Sequence, residues 1–462
     1  MNWEEFPEWG AKISDWAADY HKTLRDRPVR AQTSPGDIAV QLDHSPPEDA
    51  TGMDTIMADF ERIVMPGITH WQHPRFFAYF PANAAPPSIL AEMLVSTIAA
   101  QCMLWQTSPA ATEMETVMLD WLRQAIGLPT GFAGVIQDSA SSATLAAVLT
   151  MRERALNWQG NQMGLSGQPR LRIYCSAEVH TSVDRAIWVA GIGQDNLVRV
   201  PVKGALRGMD PDALRAIIER DIADGHRPAG VIACTGGTGT GASDDLTKVL
   251  QIARDFDLYS HVDAAWAGAG MICPEFRTLW EGVELADSIV FNPHKWLGAQ
   301  FDCSAHFLKD PSTLVKTLAI QPEYLKTHGH DNLINYSEWS VPLGRRFRAL
   351  KLWFLIRSYG LDGLRMRLRN HVAWAQELCD QLRADTRFEI VTDPVLSLFT
   401  FGLTGKDDAE MIDYVNRIND DGRIYITQTK VDGRIVVRFQ VGQFDATRAD
   451  VQVARDVMIE LI

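Results

Sequence analysis

Apolar residues recur at three- and four-residue steps from Phe6 through Trp9, Ile13, Trp16 and Tyr20 to Leu24. That spacing predicts one face of a helix, which Pro28 ends. So many large rings on one stripe need a surface, either their own domain or a partner subunit. The most apolar long window, 88–105, is interrupted by Glu92, Ser96, Thr97 and Gln101, which predicts a buried core helix and not a membrane span. From about Gly134 the texture changes to short apolar runs bounded by turn residues, at 134–137, 171–175, 197–202, 230–234, 259–263 and 288–292. Helical patterns such as 211–222 and 244–256 lie between them. Such alternation predicts an α/β layer with a mostly parallel sheet, whose ligands gather at the carboxyl ends of the strands. From about Lys351 a long helix is followed by apolar runs at 388–391, 396–401 and 435–439, the pattern of a smaller α+β domain.

The 462 residues are 46% hydrophobic and 22% charged, a globular composition that excludes a disordered or collagen-like chain. A net charge of −14 speaks against nucleic acid or an anionic membrane surface as the main partner. The opening MNWEEFPEWG has neither the basic start nor the apolar stretch of a secretory signal. Six cysteines lie far apart with no CxxC pair. This predicts reduced thiols in a cytoplasmic protein and offers no metal-site spacing.

Four places could carry chemistry. After 134–137 the chain reads Asp138-Ser139-Ala140-Ser141-Ser142 and enters a helical pattern. Small residues at a helix start suit a phosphate, although plain N-capping explains them too. Asp263 ends a strand expected to be buried on both faces, where an ionised carboxylate wants a cation or several donors; capping the next turn is the plain alternative. Lys295, between His294 and Trp296, follows an apolar strand directly. Desolvation there would make it an amine nucleophile, and an exposed loop lysine is the ordinary reading. His180 opens a helix after 171–175, either to stack on a planar ring or as a satisfied core histidine. Strand ends of one parallel sheet face the same side, so the four would converge. Pyridoxal 5′-phosphate has a phosphate, a planar ring, a basic ring nitrogen and an aldehyde to satisfy them together. The glycine run 236–241 mimics a dinucleotide loop, but no three of its glycines fall in the G-x-G-x-x-G register.

With these residues in view, the chain resembles the group II pyridoxal-phosphate decarboxylases, closest to the aromatic-L-amino-acid type. The resemblance rests on HWQHPRFFAYFP (70–81), SPAATEMETVMLDWL (108–122), GVIQDSAS (134–141), HVDAAWAG (261–268), ICPEFR (272–277), FNPHKWLG (291–298), FDCSA (301–305) and PLGRRFRALKLWF (342–354). It implies the type I fold of the aspartate aminotransferase kind. An N-terminal helical dimerisation segment (1–85), a large cofactor-binding α/β domain (86–350) and a small C-terminal α+β domain (351–462) would make up the chain.

The resemblance also implies roles. Lys295 would hold the cofactor as a Schiff base, Asp263 would pair with its ring nitrogen, and His180 would stack on the ring. Ala140, Ser141 and Asn292 would hold the phosphate, and Ser139, Thr238, Ala265, His294 and Gly344 would complete the cofactor site. Tyr324, in QPEYLK (321–326), matches a mobile-loop tyrosine that returns a proton to the substrate carbon, with His294 or His180 as relay. Trp71, Tyr79, Phe80, Pro81, Ala82 and Met103 would wall the substrate, with Gly344 leaving room for a large ring. A homodimer with shared active sites follows, to which the Phe6–Leu24 stripe would contribute.

The implied reaction is decarboxylation of Phe, Trp, Tyr or Dopa-like amino acids to arylalkylamines. Ala82 replaces a hydroxyl residue that can bond a catechol oxygen, and Met103 replaces an aromatic residue from the partner subunit. Gly237 and Gly239 replace common threonines, with no effect predicted from sequence. Retention of Tyr324 and His180 favours amine over the aldehyde that some relatives release. A decarboxylase for histidine or acidic substrates, or a scaffold that has lost catalysis, stands as an alternative.

Overall fold

The computed structural model describes residues 1–320 and 333–462. The short apolar runs become strands: β1 (Ala133–Gln137), β2 (Leu171–Ser176), β3 (Leu197–Val200), a hairpin of β4 (Val202–Lys203) and β5 (Gly208–Met209), β6 (Arg227–Cys234), β7 (Tyr259–Asp263), β8 (Ser288–Phe291) and β9 (Ser304–Leu308). The 197–202 run breaks at Pro201, whose carbonyl accepts from the Asp210 amide at 2.8 Å and folds the chain into the hairpin. Seven strands form one sheet in the order β1-β9-β8-β7-β6-β2-β3. From β8 to β3 all neighbours are parallel. Only β9 runs against its neighbours, antiparallel to both β8 and β1. Every residue of β7 and β8 is buried, as strands covered by helices on both faces must be.

The 88–105 window departs from expectation. Its helix covers Pro86–Ile98 and stops where Ala99 turns left-handed at φ 52°. Ser88, Ala91 and Val95 face the core, whereas Leu90, Met93, Leu94 and Ile98 are exposed. It is therefore a helix with two apolar faces, one of them uncovered in the single chain, and not a buried core helix. No helix among the described residues is long and apolar enough to cross a membrane.

The first helix spans Phe6–Thr23 with no buried residue. Its own chain covers only the far end of the stripe. Trp16 meets Phe60 edge-on at 5.3 Å, and the Tyr20 hydroxyl hydrogen-bonds His70 Nδ1 at 2.9 Å. Phe6 and Ile13 remain exposed.

Beyond the long helix Ala349–Arg383 lies a second, antiparallel sheet of β10 (Phe388–Val395), β11 (Leu398–Leu403), β12 (Thr427–Val431) and β13 (Arg434–Gln440), in the order β10-β11-β13-β12. Helices Asp408–Asp421 and Arg448–Glu460 complete this layer. The 70–81 segment is anchored here: Phe77 stacks on Phe439 at 4.5 Å, and its amide donates to the Tyr425 carbonyl at 2.8 Å.

Candidate active site

One edge of the large sheet carries most of the candidate chemistry, because the parallel strands all end there. β1 runs into Asp138 and Ser139, and the helix Ala140–Ala155 begins at once, with Ser139 Oγ accepting from the Ser142 amide at 3.2 Å. The first-turn amides of Ala140 and Ser141 have no carbonyl to reach within their helix. They are free donors at the positive end of its dipole. β8 leads to Asn292, whose Oδ1 accepts from Ser304 Oγ at 2.7 Å, so its amide nitrogen is left as a donor.

Asp263 closes β7, with Oδ1 accepting from the Ala265 amide at 3.0 Å. Among the described residues no cation lies within ion-pair distance of it. Lys295 sits in the wide turn Pro293–Leu297. The turn ends at Gly298, which holds φ 102°, and a Cβ there would stand 2.3 Å from the Phe444 ring. The Lys295 side chain is surrounded by protein but touches a cavity. Burial pulls its ammonium down to about 8; Asp263 opposes this and Arg438 adds to it.

Two histidines flank the amine. His180 Nδ1 accepts from the Ser182 amide at 3.1 Å, so its neutral ring carries the proton on Nε2. Burial lowers its pKa, and the Asp263 charge pulls the other way. His294 Nδ1 accepts from the Cys303 amide at 2.8 Å. Burial, helped by the charges of Lys295 and Lys351, brings His294 to about 3. It is a neutral Nε2–H donor near pH 7.

These residues enclose two adjoining chambers. The first, a cavity of about 250 Å³, brings Ser139, Ala140 and Ser141 together with Asn292. Asp263, Ala265, His180, Thr238 and Lys295 line it as well. The second, of about 570 Å³, is walled by Trp71, Tyr79, Phe80, Pro81 and Ala82, with His294 and Phe301 at its edge. Phe80, His180, Thr238 and Lys295 belong to both. Trp71 and Tyr79 stack at 5.8 Å. Phe80 lies on Trp266 at 4.6 Å, and Trp266 on Trp296 at 5.0 Å, an aromatic column under the amine.

Met103 and Gly344 line neither chamber of the single chain. They sit on one joined segment pair, where the Arg345 amide donates to Gln101 Oε1 at 2.7 Å and the Cys102 amide to the Arg345 carbonyl at 3.0 Å. Tyr324 lies outside the described residues. Gly237 now has a physical account: a Cβ there would stand 2.9 Å from the Glu178 carbonyl, too close for a threonine with this loop path.

Sequence reasoning missed Phe301, whose ring lies 4.7 Å from His294. It also missed Asn83 and Arg438, buried polar groups that bind backbone around the site. A signal was available for the two polar residues. Asn83 stands among apolar and small residues, and Arg438 interrupts the apolar run IVVRFQV.

A family model described as the pyridoxal-dependent decarboxylase conserved domain matches residues 35–404. Aromatic-L-amino-acid decarboxylase of Cavia porcellus is 40% identical, covering 96% of this chain and 94% of that protein. The structure of Oryza sativa TDC with PLP and tryptamine superposes with a TM-score of 0.96 at 34% identity, over 100% of this chain and 98% of that one. The Rhodiola rosea 4-hydroxyphenylacetaldehyde synthase structure gives 0.93 at 32% identity, over 100% of this chain and 98% of that one. The expected type I architecture therefore holds along the whole length. Sequence motifs, sheet order and the paired chambers meet in one assignment: the chain belongs to the pyridoxal-dependent decarboxylases.

Proposed function

We propose that this enzyme decarboxylates aromatic L-amino acids to arylalkylamines and CO2. The observation that carries the reading is that both chambers open on Lys295, one rich in hydrogen-bond donors and the other walled by rings. The donor set fits pyridoxal phosphate. The amides of Ala140 and Ser141, the Ser139 hydroxyl and the Asn292 amide suit the phosphate, and Thr238 and Ala265 would flank the ring. The Asp263 carboxylate suits a protonated ring nitrogen. When bound, the cofactor supplies an electron sink for the pair released as the carboxyl group leaves.

The chain's own residues do the rest. Lys295, with its proton affinity lowered, is poised to hold the cofactor covalently. Asp263 would hold a proton on the ring nitrogen, and the flat neutral face of His180 would support the ring. Trp71, Tyr79, Phe80 and Pro81 orient an aromatic side chain, each good ring contact contributing about 0.5–1.5 kcal/mol. Tyr324 would give Cα a proton in place of the departing carboxyl group. His294, held neutral with its proton on Nε2, serves as a hydrogen-bond donor and not as an imidazolium acid. The methyl of Ala82 offers no bond to a ring hydroxyl, so the substrate range is broad over Phe, Trp and Tyr, with Dopa accepted. Incubating the purified enzyme with the proteinogenic amino acids, Dopa and 5-hydroxytryptophan and identifying the released amines tests this directly. Release from non-aromatic substrates only would overturn it.

The working unit in this reading is a homodimer in the cytoplasm. Its support is the uncovered stripe Leu90, Met93, Leu94 and Ile98, the exposed Phe6 and Ile13 of the first helix, and the placement of Met103 and Gly344 outside their own chain's chambers. All six cysteines are unpaired and buried, as suits a reducing compartment. Leu90→Glu with Leu94→Glu should yield monomers by sedimentation, with turnover lost. Dimers of full activity would remove the shared-site reading.

A further inference from the structure

Arg438 stands in the middle of β13, 2% exposed, and among the described residues no carboxylate pairs with it. Its Nε donates to the Thr238 carbonyl at 2.6 Å and its Nη1 to the Tyr79 carbonyl at 2.5 Å. Nη2 is buried without a partner, and the guanidinium centre lies 4.5 Å from the Phe80 ring. Tyr79 itself holds φ 45°, a left-handed conformation that a bulky residue keeps only when its surroundings enforce it. A buried guanidinium lacking an anion is costly. Here it joins three separate pieces of chain: the aromatic wall at Tyr79 and Phe80, the glycine-rich loop at Thr238, and the small-domain sheet.

We propose that Arg438 is a positioning residue: its planar fork holds the Tyr79 and Thr238 carbonyls at a fixed separation and thereby sets the width of the slot that admits the substrate ring beside Lys295. The proposal rests on the aromatic decarboxylase reading. A lysine would keep the charge, but as a point charge on a flexible stem it lacks the rigid fork that engages both carbonyls at set angles. The buried cation also contributes to the lowered proton affinity of Lys295, so charge and tether must be separated by experiment.

Arg438→Lys and Arg438→Gln are to be compared with wild type in the holoenzyme, using Phe, Tyr and Trp. Backbone hydrogen exchange of residues 77–82 and 236–241 is measured with and without cofactor. Both variants should keep the cofactor's absorbance and exchange faster at those two segments only. KM should rise about tenfold, most for Trp, with kcat within about threefold. Wild-type KM and exchange in Arg438→Lys would overturn the tether, since charge alone would then suffice. A fall in kcat at unchanged KM, or faster exchange spread along the whole chain, would overturn it as well. Should neither variant fold, wild-type exchange at rising urea decides. The two segments open together if the fork joins them, and separate opening refutes it. A wild type that releases no amine from any of the three acids defeats the functional reading alone, because the exchange result still judges the fork.

Discussion

The side-chain amide of Asn83 donates to the Lys295 carbonyl at 2.8 Å. Its second hydrogen goes to the Gly442 carbonyl at 2.8 Å, and its Oδ1 accepts from the Phe444 amide at 2.9 Å. One fully buried side chain therefore fixes the backbone of the amine-bearing turn against the segment that follows β13. Asn83→Ala would leave those groups without partners, and stability should fall by about 2–4 kcal/mol. A urea midpoint unchanged from wild type would show that the turn holds itself.

Lys295 binds its proton less tightly in the folded protein than in the unfolded chain, at about 8 against an ordinary 10.5. Between those values the unfolded chain carries the extra proton, so the stability of the cofactor-free protein should rise as pH increases through that window. Lys295→Met should flatten the rise. The rate at which added pyridoxal phosphate attaches should follow the neutral amine, with a midpoint near 8. A midpoint in the ordinary lysine range would place the amine in water.

Ala82 lines the ring chamber with a methyl group. Ala82→Thr adds a hydroxyl there, and one new hydrogen bond to a ring oxygen should raise Dopa over Phe by about five- to tenfold in a competition assay. Equal gains for both substrates would mean that the new hydroxyl does not meet the ring.

Tyr324→Phe should divert product from amine toward aldehyde, with oxygen consumed and peroxide formed. An unchanged amine yield would remove Tyr324 from the proton-return step.

Much of this arrangement was legible in the chain because strand ends leave strong marks. Asp263 terminates and Lys295 follows a compact, wholly buried run, and a parallel sheet sends such positions to one edge. β9 escaped because His306 and Ser304 interrupt it. The Ser288 hydroxyl bridges His261 Nδ1 and His306 Nε2, each at 2.8 Å, so polar groups sit in the core without looking like core. β12 escaped as an edge strand whose first four residues are all polar. The 86–98 helix misled in the other direction: its outer leucines look like core in a sequence, since apolar character does not say what covers it. Arg438 and Asn83 show in the sequence as polar residues in apolar surroundings, but what they bind does not. Their partners are backbone carbonyls and amides, which leave no trace in side-chain pattern.

Phe80 forms part of both chambers and rests on Trp266. A change of size at that ring therefore disturbs coenzyme and amino acid at once. Diversification of specificity in such a protein has to proceed through margins such as Ala82 and Phe301, which can vary while the vitamin-binding half is left alone.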